Sequence, residues 1–277
     1  MDKLLVTTDF SANSKTAIRF AMQLASQSGC ELVFFNAIEI MKPTSWSQDR
    51  YNKYKNEEIQ IHQKALQEFI NSIFKKSNFH HLKYKCVAEI GIYVHTMINE
   101  FAKKIKADFI CVSTRGAGKI EKLFGTNASA LVSTSPIPVF VVPLSYRAKP
   151  ITKIWYASDL ENLNKELKVL EKFSSRLTAK INVVHYNYLP HLQESKKKFE
   201  QVVAKHSLQN NHFQFKEIKA DYPLIHYLQI DLTKTKPSLL VVFSQQNRDW
   251  YNRIFLSSQS SEITFNTSTP MLVFKKK

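Results

Sequence analysis

Phe109-Ile-Cys-Val-Ser-Thr-Arg-Gly-Ala-Gly-Lys-Ile-Glu-Lys-Leu-Phe-Gly-Thr126 is the stretch on which the reading of this chain turns. Phe109 to Val112 is a short apolar run, the pattern of a buried strand. A loop with Gly116, Gly118 and Gly125 follows, so three of the chain's five glycines sit here. Thr126 then opens a helix predicted over Asn127 to Ser133. A strand that feeds a Gly-rich loop ending at a helix N-terminus suits an anion. Backbone N–H groups can approach phosphate oxygens there, and the helix dipole favours negative charge.

Three phosphate-loop patterns compete for these residues. A Walker A loop needs Gly, four residues, then Gly-Lys-Ser/Thr. Gly118-Lys119 fits its middle, but Ser113 stands at its first Gly and Ile120 at its hydroxyl. A dinucleotide fingerprint needs a Gly where this chain has Glu121. The third pattern is Gly-x2-Gly-x9-Gly-Ser/Thr, and the loop resembles it best. Ser113 takes the place of the first Gly, Gly116 matches the second, and eight residues lead to Gly125-Thr126. This pattern belongs to the nucleotide-binding branch of the universal stress protein family.

Around the loop, the chain alternates strand and helix. Lys3 to Thr8 reads as a strand ended by Asp9, with Ser11 as cap of the next helix and Gly29 as its close. Ala17, Phe20, Ala21, Leu24 and Ala25 form that helix's apolar face. Glu31 to Ala37 is a second strand with a continuous apolar run, Leu32 to Phe35, as expected when both sheet faces are covered. A loop over 38–48 precedes a helix over 50–76, with Ile59, Ala65, Leu66, Phe69, Ile70 and Ile73 as predicted core. Leu82 to Ala88 is a third strand, Glu89-Ile90-Gly91 a turn and Tyr93 to Lys106 a helix. Asp108 to Ser113 is the fourth strand and Pro138 to Val142 the fifth. This order implies an α/β fold with an open, largely parallel, doubly wound sheet. Ligands in such sheets sit beyond the carboxyl ends of the strands.

The second half echoes the first. Val6-Thr7-Thr8-Asp9-Phe10 resembles Tyr156-Ala157-Ser158-Asp159-Leu160, and Phe34 to Ala37 resembles Val183 to Tyr186. Pro138 to Val141 likewise resembles Pro270 to Val273. Two tandem Rossmann-like domains are therefore expected, residues 1–146 and 147–277, joined through a Pro-containing stretch at 143–150. The second lacks the loop: Asn247 replaces Gly116, Ser257-Ser258 replace the Gly-Ser/Thr pair, and residues 151–277 hold no glycine. A Cβ at such positions blocks close backbone approach to phosphate. This half reads as a degenerate copy with a structural or partner-facing role.

The family resemblance covers the whole chain as fold and repeat, and residues 5–10 and 109–143 as motif. It implies a fold of the adenine nucleotide alpha hydrolase type, each domain with a mostly parallel five-stranded sheet. It also implies an adenine-nucleotide ligand, ATP with Mg or a relative. On that basis Thr7, Thr8 and Asp9 stand at the adenine or ribose side, and Asn36 and Ala37 line the base pocket. Val112, Ser113, Arg115, Gly116, Gly125, Thr126 and Asn127 cradle ribose and phosphates. Asp9 as a simple turn or cap residue, and Gly125-Thr126 as a turn and cap only, are the plainer alternatives. Family sheets pair through their last strands, so the two copies imply an intrachain pseudo-dimer, with a further homodimer left open.

Net charge is +16; residues 1–146 carry 18 basic and 12 acidic side chains, residues 147–277 carry 21 and 11. A basic surface raises nucleic acid as a partner, but no interleaving of aromatic and basic residues marks such a face. Met1-Asp2-Lys3 runs straight into a strand, with no signal-peptide pattern and no apolar run of membrane-spanning length. Cys30, Cys86 and Cys111 are far apart and odd in number, as in a reducing cytoplasm. No Cys/His spacing suggests a metal site, and no nucleophile elbow or acid–base pair suggests an enzyme. The sequence thus points to a cytoplasmic stress-response or signalling protein that binds adenine nucleotide and meets an unidentified protein partner. A nucleotide-independent scaffold of the same fold is the alternative.

Overall fold

The computed structural model describes residues 2–114, 126–188, 192–206, 211–244 and 267–275. These form two compact units that divide between Leu144 and Ser145.

In the first unit the elements run β1 (Lys3–Thr7), α1 (Ala12–Ser28), β2 (Glu31–Glu39), α2 (Gln48–Phe74), β3 (Tyr84–Gly91), α3 (Val94–Lys104), β4 (Phe109–Ser113), α4 (Thr126–Thr134) and β5 (Val139–Val142). The strands are all parallel and lie in the order β3-β2-β1-β4-β5. The chain steps outward from β1 through β2 to β3, then returns to the other side of β1. Right-handed crossovers put α1 and α2 on one face and α3 and α4 on the other. Cys111 on β4 touches the α1 backbone, its Sγ 3.7 Å from the Ala17 carbonyl. Phe35 on β2 stacks on Phe101 of α3, with ring centroids 4.5 Å apart. Val6, Phe34, Phe35 and Phe140 are fully buried, so the central strands are covered on both sides.

Local chemistry sets the helix ends. Ser11 is extended (φ −69°, ψ 164°), and its Oγ accepts the Ser14 N–H. Gly29 closes α1 in the left-handed region at φ 69°, its N–H donating to the Ala25 carbonyl. The predicted apolar face of α1 is buried throughout. In α2, Leu66, Ile70 and Ile73 are buried, Ile59 and Phe69 half-buried, and Ala65 exposed. Ala65 directly precedes Leu66, a rotation of roughly 100° that carries it off the core face.

Glu89-Ile90-Gly91 is strand, not turn. β2 runs on to Glu39, and Ala37, Ile38 and Glu39 pair with Glu89, Ile90 and Gly91. Ile38, Ala88 and Ile90 form a small buried cluster there, with Ile40 and Ile59 against it. Burying that cluster decides between ladder and turn. Gly91 admits α3: a Cβ would stand 2.8 Å from Met97 Sδ.

The second unit contains β6 (Lys153–Ala157), α5 (Leu163–Ser175), β7 (Lys180–Tyr188), α6 (Leu192–His206), β8 (His212–Ile218), α7 (Leu224–Thr235), β9 (Leu239–Ser244) and β10 (Met271–Lys275). Its strands are parallel in the order β10-β9-β6-β7-β8, the same winding with β6 in the place of β1. The likeness extends to the backbone. Phe10 and Leu160 are left-handed at φ 63° and 65°, and Lys106 and Lys236 at 53° and 46°. Gly29 has its counterpart in Thr178, at φ 54°.

Candidate functional site

Reversal of strand order between β1 and β4 opens a crevice beyond their carboxyl ends. Leu4, Leu5 and Val6 pair with Phe109, Ile110 and Cys111. Carried two residues on, that register brings Thr8 level with Ser113. The two sequence segments singled out as nucleotide-binding therefore meet at one point of the sheet.

Thr7 is the last residue of β1 and half-buried, while Thr8 is buried. Three bonds fix Thr8: its N–H donates to the Phe35 carbonyl at 3.0 Å, its carbonyl accepts Asn36 Nδ2 at 2.8 Å, and its Oγ1 donates to Ser14 Oγ at 2.8 Å. Thr8 Oγ1 also accepts the Phe10 N–H at 3.1 Å. Asp9 is exposed, and its Oδ1 accepts the Ser11 N–H at 3.1 Å. This Asx turn leaves a solvent-facing carboxylate at the crevice mouth.

Asn36 is buried, and its amide bridges two partners: Nδ2 donates to Thr8, and Oδ1 lies 3.1 Å from His62 Nδ1. Ala37 is half-buried and follows Asn36 on β2. Val112 is buried and Ser113 half-buried, paired with Val141 and Val142. The Thr114 N–H donates to the Val142 carbonyl at 2.9 Å, so the ladder holds up to the loop. Thr126 and Asn127 are exposed in the first turn of α4. N–H groups of a first helical turn have no intrahelical acceptor and favour an anion. Arg115, Gly116 and Gly125 lie outside the described residues, as do Gly118, Asn247, Ser257 and Ser258.

Two residues of this region are missed by sequence reasoning. His62 on α2 contacts Asn36, and the Phe10 ring lies 6.2 Å from His62 and 5.4 Å from Phe69. A signal for His62 exists: it stands three residues after Ile59 and four before Leu66, on the core-facing stripe of α2.

Chemical groups suited to bond-making are scarce here. Burial raises the Cys30 and Cys111 thiols and pushes Cys86 up to about 12, so none is a thiolate at neutral pH. Among the described residues, no three His, Cys, Asp or Glu side chains are grouped to hold a metal ion. No helix among them is long and apolar enough to cross a membrane.

Comparison with known proteins follows the same lines. A search of solved structures matches a universal stress protein from Archaeoglobus fulgidus with TM-score 0.70 and 15% identity, covering 99% of this chain and 98% of that one. A functionally unknown protein from Pseudomonas aeruginosa PAO1 matches with TM-score 0.65 and 12% identity, over 99% and 92%. At these identities the likeness concerns the fold, and it extends over both units. A search of curated proteins finds no match. The sequence model of the universal stress protein family matches residues 1–143, just over half of the chain. With the fold, the strand-end crevice and this match in agreement, the chain belongs to the universal stress protein family.

Proposed function

We propose that the first unit binds an adenine nucleotide, ATP with Mg or a close relative, and that binding governs how the protein meets a partner protein in a stress response. The observation that carries this reading is the meeting of β1 and β4 at the switch point. There an exposed Asp9 stands level with the strand that feeds the Gly-rich loop and the N-terminus of α4.

The donor set fits the ligand. Asp9 offers acceptors to ribose hydroxyls, while Thr7, Thr8, Asn36 and Ala37 wall the base side. Val112, Ser113, Thr126 and Asn127 supply strand end and helix N-terminus to the phosphates, with Arg115, Gly116 and Gly125 between them in sequence. Magnesium takes oxygen ligands, largely from phosphate and water. The reading assigns no catalytic residue, a cytoplasmic setting, and a partner-facing role to the second unit as a degenerate domain over 147–277.

A test is calorimetric titration of the whole chain with MgATP. Gly125→Trp places a large side chain at the phosphate side, and the expected result is loss of binding with unchanged melting of the free protein. Undiminished affinity would remove the loop from the site. The second reading, a nucleotide-independent scaffold, is favoured by the glycine-free second half and by Ser113 in place of a loop glycine. It predicts no binding of any adenine nucleotide by the unaltered chain.

A further inference from the structure

We propose that His62, on α2, is a positioning residue for Asp9 and so sets the affinity of the nucleotide site; the inference rests on the reading given above. Asp9 has Thr8 on one side and Phe10 on the other, and His62 reaches both neighbours. The path to Thr8 passes through Asn36. A carbonyl only accepts, so Thr8 fixes Nδ2 of Asn36 toward itself, at 2.8 Å. Oδ1 must then face His62, and His62 Nδ1–H donates to it across 3.1 Å. The path to Phe10 is direct, ring to ring at 6.2 Å.

Phe10 holds an unfavourable backbone conformation. It is left-handed at φ 63°, a region that side chains with a Cβ avoid. Its ring is wedged edge-on against Phe69 at 5.4 Å, and Lys15 Nζ lies 5.5 Å from the centroid of the same Phe69 ring. His62 and Phe69 stand seven residues apart on one face of α2, so a single helix face braces the turn that carries Asp9. Glu58, one turn earlier, has its Oε2 3.8 Å from His62 Nε2.

The corresponding place in the second unit is built differently among the described residues. There the position of Asn36 is taken by His185, whose Nδ1–H donates straight to the Ser158 carbonyl at 2.8 Å. The turn residue Asp159 accepts the Glu161 N–H just as Asp9 accepts that of Ser11. The link from strand end to helix face through a second side chain is a feature of the first unit alone among the described contacts.

The experiment is a double-mutant cycle on the full chain, read as the MgATP dissociation constant by calorimetry. The free-state melting temperature of each variant is the control. His62→Leu is expected to weaken binding about tenfold, within the range of coupling seen for contacting residues. His62→Asn, which keeps a donor near the Nδ1 position, should recover most of that loss. In an Asp9→Ala background His62→Leu should change nothing further, because its effect passes through Asp9. His62→Gln replaces the leucine variant if the latter does not fold.

Equal affinity of His62→Leu and the unaltered chain would overturn the inference and leave the nucleotide reading standing. Additive losses with Asp9→Ala would also overturn it, by showing a contribution that bypasses Asp9. No MgATP binding by the unaltered chain would overturn the nucleotide reading itself, and this inference with it.

Discussion

The two units share one winding and even their left-handed residues, yet they fill corresponding places with different chemistry. On the α3 side of the first sheet, Phe35 stacks on Phe101. The corresponding side of the second holds a polar network: Trp155 Nε1 donates to the Tyr186 hydroxyl at 3.4 Å, and Tyr186 donates to Asp231 Oδ2 at 2.7 Å. Lys216 pairs with the other Asp231 oxygen and lies 5.7 Å over the Trp155 ring. Near the strand end, Val6 and Thr16 of the first unit become Tyr156 and Glu166, both buried and hydrogen-bonded to each other. Burial and the adjoining carboxylates hold the Tyr156 and Tyr186 phenols well above their ordinary range, so both remain neutral donors. Among its described residues, the first unit buries only neutral polar side chains, Thr8, Ser14 and Asn36 among them, and carries its Asp9 carboxylate in the solvent. The second has moved carboxyl groups into its interior, where each group needs a partner.

That contrast is breakable. Phe101→Ala should cost the first unit about 4 kcal/mol through the cavity it leaves. Asp231→Ala should cost the second about 3 kcal/mol, because Lys216 and the Tyr186 hydroxyl lose their acceptor. The joint change Lys216→Met with Asp231→Leu should cost less than Asp231→Ala alone, since it leaves no unpaired lysine and orphans the Tyr186 hydroxyl only. Denaturant unfolding measures all three, and a joint change as costly as Asp231→Ala alone would contradict this view of the network.

A smaller effect concerns the helix ends. Gly29 occupies φ 69° without strain, with nothing within 4 Å of the place a Cβ would take, whereas Thr178 is a β-branched residue at φ 54°. Thr178→Gly should therefore stabilise by about 1 kcal/mol, and Gly29→Thr should destabilise by about 1–2 kcal/mol. Opposite signs in thermal unfolding are the expected outcome.

The smallest effect is in pH. Burial holds the His185 pKa below its ordinary value, partly offset by the bond to the Ser158 carbonyl. The folded state then binds the proton less readily than the unfolded chain, whose histidine titrates near about 6.5. Stability from this group is present above that value and is lost as pH falls through the folded pKa. His185→Asn, which installs the residue found at position 36, should flatten the decline between about pH 7 and pH 5. An unchanged slope would place the acid sensitivity elsewhere.

Much of the architecture is legible in the sequence because its signals are local. Ser11 and Gly29 announce the ends of α1, and Leu32 to Phe35 announce a strand covered on both faces. The turn expected at Glu89 to Gly91 is strand because of its pairing with the extended end of β2, and pairing partners are remote in sequence. In the site, Asp9 and Ser113 stand out by pattern. His62 does not, since a histidine on an apolar helix stripe gains meaning only once the topology sets it beside Asn36. The interior network of the second unit is hidden for the same reason: Trp155, Tyr186, Lys216 and Asp231 come from four separate elements.

The central claim is that the first crevice takes adenine nucleotide and the second does not. A thermal shift of the full chain with millimolar MgATP tests it, comparing Asp9→Ala with Asp159→Ala, since a ligand that binds only the folded state raises the melting temperature. The predicted result is a clear shift for the unaltered chain and for Asp159→Ala, and a much smaller one for Asp9→Ala. A shift that survives Asp9→Ala and disappears with Asp159→Ala would contradict it, as would no shift in any of the three.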